Sequence, residues 1–200
     1  ASDVYKRQNK GSVREKIFSV LRKVDKYGKI SMAANTSSIQ KTSWQSGGTM
    51  AGVSGKWISR LKGQGQDLMG RWSWIDLQGK DERVIRIVSG YRVSQSSNVG
   101  TGPTTACQQQ YNALVASNAT TVNPKKAFLE DITKFLMAWK IKSERNELIV
   151  MMDANETLGE GGQLDDFVEQ VGLIDAVGKV KPQLKDDTTY LWGRKRLDYI

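Results

Sequence analysis

Glu147-Leu148-Ile149-Val150-Met151-Met152-Asp153-Ala154-Asn155-Glu156 is the stretch on which the fold turns. Five apolar residues run unbroken from Leu148 to Met152 and end in an acid. A run this short predicts a buried strand. Its carboxyl end presents Asp153, with Asn155 two residues further on. A carboxylate and an amide so placed can share one pocket, the first orienting or deprotonating a water and the second holding a phosphate oxygen. An acid after a strand also serves as a turn cap. The stretch by itself leaves both roles open.

Upstream, Asn123 and Pro124 read as the N-cap and first residue of a helix. Its apolar stripe is Phe128, Leu129, Ile132, Phe135, Leu136 and Trp139. A shorter helix is expected over Thr104–Ala116, with Ala106, Cys107, Tyr111, Leu114 and Val115 on one side. Cys107 is then a small buried hydrophobe. Before it, β-like runs lie at Thr49–Ser54, Arg71–Leu77 and Arg83–Val93. Gly79-Lys80-Asp81-Glu82 reads as the hairpin between the last two. Ser31–Gly48 is rich in Ser, Thr and Gln and reads as a loop. Ser12 and Glu15 have capping-box spacing at the head of a helix carrying Ile17, Leu21, Val24 and Tyr27, closed by Gly28. Downstream, Gly159, Gly161 and Gly162 form a loop, Gln163–Val171 a short helix, and Arg196–Ile200 a strand. Helices thus mix with a β-rich, antiparallel middle.

Thirty Lys and Arg stand against 21 Asp and Glu, a net charge of +9, with one cysteine and no histidine among 200 residues. Without histidine these residues hold no Ser-His-Asp triad, no histidine acid or base and no Cys₂His₂ zinc site. A single cysteine excludes an intrachain disulfide framework. The positive charge favours anionic partners, nucleic acid being the commonest class. The longest apolar runs have five residues, far below the ~20 that span a bilayer. Ala1–Gln8 is polar and charged, without a secretory pattern. An intracellular setting is expected, the nucleus included, with no membrane partner. Residues 1–11 read as a disordered or foreign flank, and 12–200 as the folded part.

Two further placements carry chemistry. Arg196-Leu197-Asp198-Tyr199-Ile200 sets Asp198 between apolar neighbours in a strand, where an aspartate needs a partner, an arginine being one. Ser89-Gly90-Tyr91-Arg92 ends an apolar strand with a hydroxyl and a guanidinium suited to a phosphodiester. The same tyrosine also suits a packed ring with a wet hydroxyl.

In chain order, Trp44–Thr49, Gly70-Arg71-Trp72, Ser89–Val93, Met152–Glu156 and Arg196–Ile200 resemble the motifs of the endonuclease/exonuclease/phosphatase superfamily. Within it the chain looks most like nuclease domains of retroelement-like proteins from eukaryotic microbes. The resemblance covers residues 40–200. It implies a DNase I-like α/β sandwich, two mostly antiparallel sheets flanked by helices. It implies Mg²⁺- or Mn²⁺-dependent phosphodiester hydrolysis of nucleic acid, DNA ahead of RNA. Asp153 resembles the aspartate that orients the attacking water, with metal contact as a second role. Asn155 resembles the asparagine on the scissile phosphate, and Tyr91 the tyrosine that contacts it. Asp198 resembles the aspartate that pairs with the catalytic histidine. Arg71, Arg92 and Arg196, with Arg60, Lys62, Arg194 and Lys195, are expected to neutralise the substrate backbone.

The departures from that pattern are specific. Met152 and Ala154 replace the Gly and Phe of the family's Gly-Asp-Phe-Asn motif, and Val93 replaces a common proline. The family's strands bearing an Asn and a metal-binding Glu, and its final Ser-Asp-His, have no counterpart here. The expectation is therefore a domain incomplete at both termini and inactive alone. The superfamily also holds phosphatases of phosphoinositides and small phosphoesters, and a non-catalytic nucleic-acid-binding module is a third reading.

Overall fold

The computed structural model describes residues 11–33, 48–94, 102, 105–184, 187–189 and 195–200. Helix α1 (Gly11–Val24) leads into a two-stranded antiparallel sheet of β1 (Lys29–Ala33) and β2 (Thr49–Val53). A 3₁₀ turn (Gly55–Arg60) then opens the main sheet with β3 (Leu61–Gln66), β4 (Trp72–Gln78) and β5 (Val84–Tyr91). Helices α2 (Ala106–Ala116) and α3 (Pro124–Lys140) carry the chain to β6 (Glu147–Asp153). Helices α4 (Gln163–Val171) and α5 (Ala176–Val180) precede the short strand β7 (Asp198–Tyr199). The main sheet has the order β3-β4-β5-β6-β7, and among the described residues only its β5–β6 pair is parallel. A parallel pair needs a long crossover, which α2 and α3 supply. The chain is thus α/β, with two mostly antiparallel sheets and flanking helices, as its sequence implies.

Helix α3 organises the core. The Asn123 side chain accepts a hydrogen bond from the Lys126 amide, and Pro124 occupies the first turn. Phe128, Ile132 and Leu136 are fully buried against Trp72, Val88, Val150 and Met152 of the sheet. Leu164, Phe167 and Val171 of α4 complete this layer. Each such side chain contributes roughly 1.5–3 kcal/mol when fully buried. The opposite sheet face packs Ile75 and Leu77 on Ala51 of the small sheet, with Val53, Leu61 and Ile87 around them.

Several local expectations change. Ser31–Ala33 belong to β1 rather than a loop, because pairing with Thr49–Ala51 satisfies their backbone groups. The remainder of that stretch, 34–47, lies outside the described residues, as do residues 1–10 of the expected flank, Trp44, Thr104 and Arg194. Gly11 already opens α1, so Ser12 lies inside the helix, and α1 stops before Tyr27 and Gly28. Strand β3 carries no apolar alternation to announce it. Its glycines allow the Trp74 indole to lie against it: a Cβ on Gly65 would sit 2.6 Å from that ring. In α2, Gln109 and Gln110 are buried while Val115 is exposed. Strand β6 is buried on one face only, with Ile149 and Met151 on the open face. Of the expected strand at 196–200, Asp198–Tyr199 pair as a strand. No helix among the described residues is long and apolar enough to cross a membrane.

Candidate functional site

The register of three strands builds the site. Across the parallel β5–β6 pair Tyr91 stands opposite Asp153, and across the antiparallel β6–β7 pair Asp198 stands opposite Asp153. Register partners on neighbouring strands share a face and lie ~5 Å apart. Three residues singled out separately in the sequence therefore form one row at the end of the sheet. The row lies on the face away from α3, since Met152 and Val88 take the alternate positions and enter the core. Asp153 and Asp198 line a cleft of about 520 Å³ with Ser89, Asp187, Thr189 and Arg196.

Tyr91 is a hydrogen-bond donor at any ordinary pH. Burial, then the charge of Asp153, then Cys107, push its hydroxyl up to about 12. Burial also raises the Cys107 thiol, which is fully enclosed and so is no nucleophile. Asp153 caps the turn that follows it, Oδ1 accepting from the Asn155 amide at 3.2 Å. The capping role and a place in the cleft thus coexist in one carboxylate.

Asn155 has a left-handed backbone, with φ of 49°. Its side-chain amide donates to the Arg92 carbonyl at 2.6 Å, and its own carbonyl accepts from Lys125 Nζ at 3.1 Å. These bonds tie the ends of β5, β6 and α3 together. One side-chain N–H of Asn155 is therefore engaged with the backbone rather than offered to a phosphate.

The three arginines expected on the substrate backbone each hold a carboxylate within the chain. Arg92 is fully buried, and all three guanidinium nitrogens are engaged, with Glu156 at 2.6 Å, Gln163 at 3.1 Å and the Lys125 carbonyl at 2.9 Å. Arg71 holds Asp67 and Asp131 at 2.7–2.9 Å. Arg196 grips Asp175 at 2.7 and 2.9 Å and lies over the Tyr199 ring. Buried charges demand such partners, and an arginine gives the same local signal whether its partner is a carboxylate or a phosphate. Arg60 and Lys62 are exposed, and Lys195 pairs at the surface with Glu160 at 3.0 Å.

Two residues beside the site escaped the sequence reading. Glu156 would be raised by burial, but the Leu164 amide and the Arg92 guanidinium hold its carboxyl below the usual range. Lys125 is lowered by burial and by Arg92, against the pull of Glu156. Its signal was present: Lys125 and Lys126 follow Pro124 at a helix N-terminus, where the macrodipole disfavours cations.

Among the described residues no three His, Cys, Asp or Glu side chains cluster to hold a metal ion. Asp153 and Asp198, register partners on β6 and β7, are the two carboxylate residues of the row. That set suits Mg²⁺ or Mn²⁺, which bind through one or two carboxylates while keeping water and taking substrate phosphate. It does not suit a dehydrated zinc centre.

No family model matches this sequence, and no curated protein matches it. Among solved structures, a beta toxin from Staphylococcus aureus matches with 14% identity and a TM-score of 0.44 over 83% of this chain. The chain spans 55% of that toxin's length.

Proposed function

We propose that the chain carries the phosphodiester-handling part of a metal-dependent nuclease site of the DNase I-like type. The in-register row Tyr91–Asp153–Asp198 is the observation that carries this reading. Asp153 positions a water for in-line attack on phosphorus. The protonated Tyr91 hydroxyl donates to a phosphoryl oxygen, and Asn155 adds a polar contact at the same rim. Asp198 orients a histidine supplied from outside these 200 residues, which contain none. Asp153 would hold Mg²⁺ or Mn²⁺, which when bound supplies Lewis-acid polarisation of the phosphate. The +9 charge favours nucleic acid, DNA first, over a small phosphoester. These 200 residues alone are inactive on this reading.

Nicking of supercoiled plasmid with Mg²⁺ by the full reading frame that contains these residues tests it, with inositol phosphates assayed in parallel. Nicking is expected, and Asp153→Asn should abolish it at unchanged melting temperature. Nicking that survives Asp153→Asn removes this residue from the site. Phosphate release from inositol phosphates without nicking would make the protein a phosphatase.

A further inference from the structure

We infer that Tyr27, Trp57 and the cations around them form a docking surface for single-stranded nucleic acid, remote from the catalytic row. Trp57 is 49% exposed and Tyr27 70% exposed, so both rings are open to solvent. Each ring has cations beside it. Lys26 Nζ lies 5.8 Å from the Tyr27 ring centre, and Lys56 Nζ and Arg60 Cζ each lie 5.9 Å from that of Trp57.

One carboxylate joins the two platforms. Asp25 accepts from the Tyr27 amide at 2.9 Å and from the Gly55 amide at 2.6 Å. The loop after α1 and the 3₁₀ turn are thereby held side by side. A cleft of about 270 Å³, lined by Phe18, Arg22, Asp25 and Ser54 among others, opens beside them. Residues 25–33 and 54–66 hold Lys26, Lys29, Lys56, Arg60 and Lys62, all exposed, against the single acid Asp25.

This chemistry selects its occupant. Exposed rings stack on bases, and interleaved cations neutralise the backbone between them. A duplex hides its base faces, so the rings would add nothing to its binding. An acidic peptide would use the cations and leave the rings idle. The surface also lies apart from the catalytic row. Leu61, at the end of the 3₁₀ turn, pairs with Leu77, and Leu77 with Ile85. Tyr91 is six residues further along β5, about 20 Å at ~3.3 Å per residue. The inference therefore does not rest on the proposed hydrolysis.

Anisotropy of a labelled oligothymidylate of about 16 nucleotides, in EDTA so that cleavage plays no part, tests the surface. Tyr27→Ala and Trp57→Ala should each weaken binding about tenfold, and Trp57→Phe should retain most of the affinity. The Lys56→Gln, Arg60→Gln pair should reduce the salt slope of log affinity by about 1.4. A duplex of equal length should bind more weakly and ignore Trp57→Ala. Both rings are exposed, so melting temperatures should hold; Trp57→Phe and the cation pair decide the matter if the alanine variants melt early. Oligothymidylate binding that ignores both rings and both cations overturns the proposal. So does a duplex that loses as much as the single strand, or polyglutamate that competes on equal terms.

Discussion

Tyr91 and Asp153 stand directly opposite each other across the parallel β5–β6 pair of the main sheet. A phenol beside a carboxylate on a half-buried face resists ionisation, because its anion would meet both low dielectric and a like charge. The pair therefore presents an acceptor and a permanent donor side by side.

The alkaline limb of stability should report this pair. The Tyr91 hydroxyl is pushed up to about 12, against an ordinary value near 10. The folded pKa exceeds the unfolded one, so the contribution is complete below pH ~10 and is lost as pH rises towards ~12. Two units correspond to about 2–3 kcal/mol. Denaturant unfolding from pH 8 to 12 (a range set by those values) should show a shallower alkaline decline in Tyr91→Phe than in the parent. Superimposable profiles would falsify the assignment.

Arg92→Ala should unfold the protein without specifically weakening substrate binding. It strands the Glu156 carboxylate beside an emptied buried site, a loss of about 3–5 kcal/mol. Arg83→Ala is the matched control: its ion pair with Glu147 is exposed on both sides and should cost less than ~1 kcal/mol. Chemical denaturation of the two variants compares them directly. Equal small losses would return Arg92 to the list of backbone-binding residues.

Gly65→Ala should destabilise the edge of the sheet. The added Cβ meets the Trp74 ring at 2.6–2.9 Å, and Trp74 in turn packs on Arg86 at 4.0 Å. Overpacking of this kind costs about 1–3 kcal/mol. Thermal melts should show the loss, and Trp74 fluorescence should shift with it. A stable Gly65→Ala protein would mean that β3 sits further from Trp74 than described.

Asp175 should set part of the acid limb. The Arg196 hydrogen bond, partly offset by burial, holds its carboxyl below the ordinary range. A lowered folded pKa gives stability that is present above pH ~4 and is lost as pH falls below that, through the lowered folded value. Arg196 Nε also donates to the Asp198 carbonyl at 3.2 Å, so Asp175→Asn should loosen β7 too. Acid unfolding and amide exchange at Tyr199 should both change. A β7 that exchanges at the parental rate would disconnect the ion pair from the site.

The legible parts of the fold were those with a local pattern. The α3 stripe from Phe128 to Leu136 repeats every three or four residues and became the core. The β4–β5 hairpin needed only two apolar runs and a turn, and Asp81 and Glu82 take left-handed backbones there, at φ of 54° and 61°. Strands β1 and β3 were not legible, because Ser31 and Gly65 belong to strands through what pairs with them, not through their own preference. Arg71 illustrates the same limit at the site: one of its partners, Asp131, lies 60 residues away.

The sequence alone determined the principal helix, the hairpin and the chemical candidates Tyr91, Asp153 and Asp198, and the resemblance of its motifs implied the α/β class. Periodicity reports which face of an element seeks burial, and that is a property of neighbouring residues. Only the tertiary structure decided that these three residues form one row and which carboxylates Arg71, Arg92 and Arg196 hold. That outcome depends on strand register and on ion pairs between distant segments, and long-range pairing leaves no mark in the local pattern of either partner.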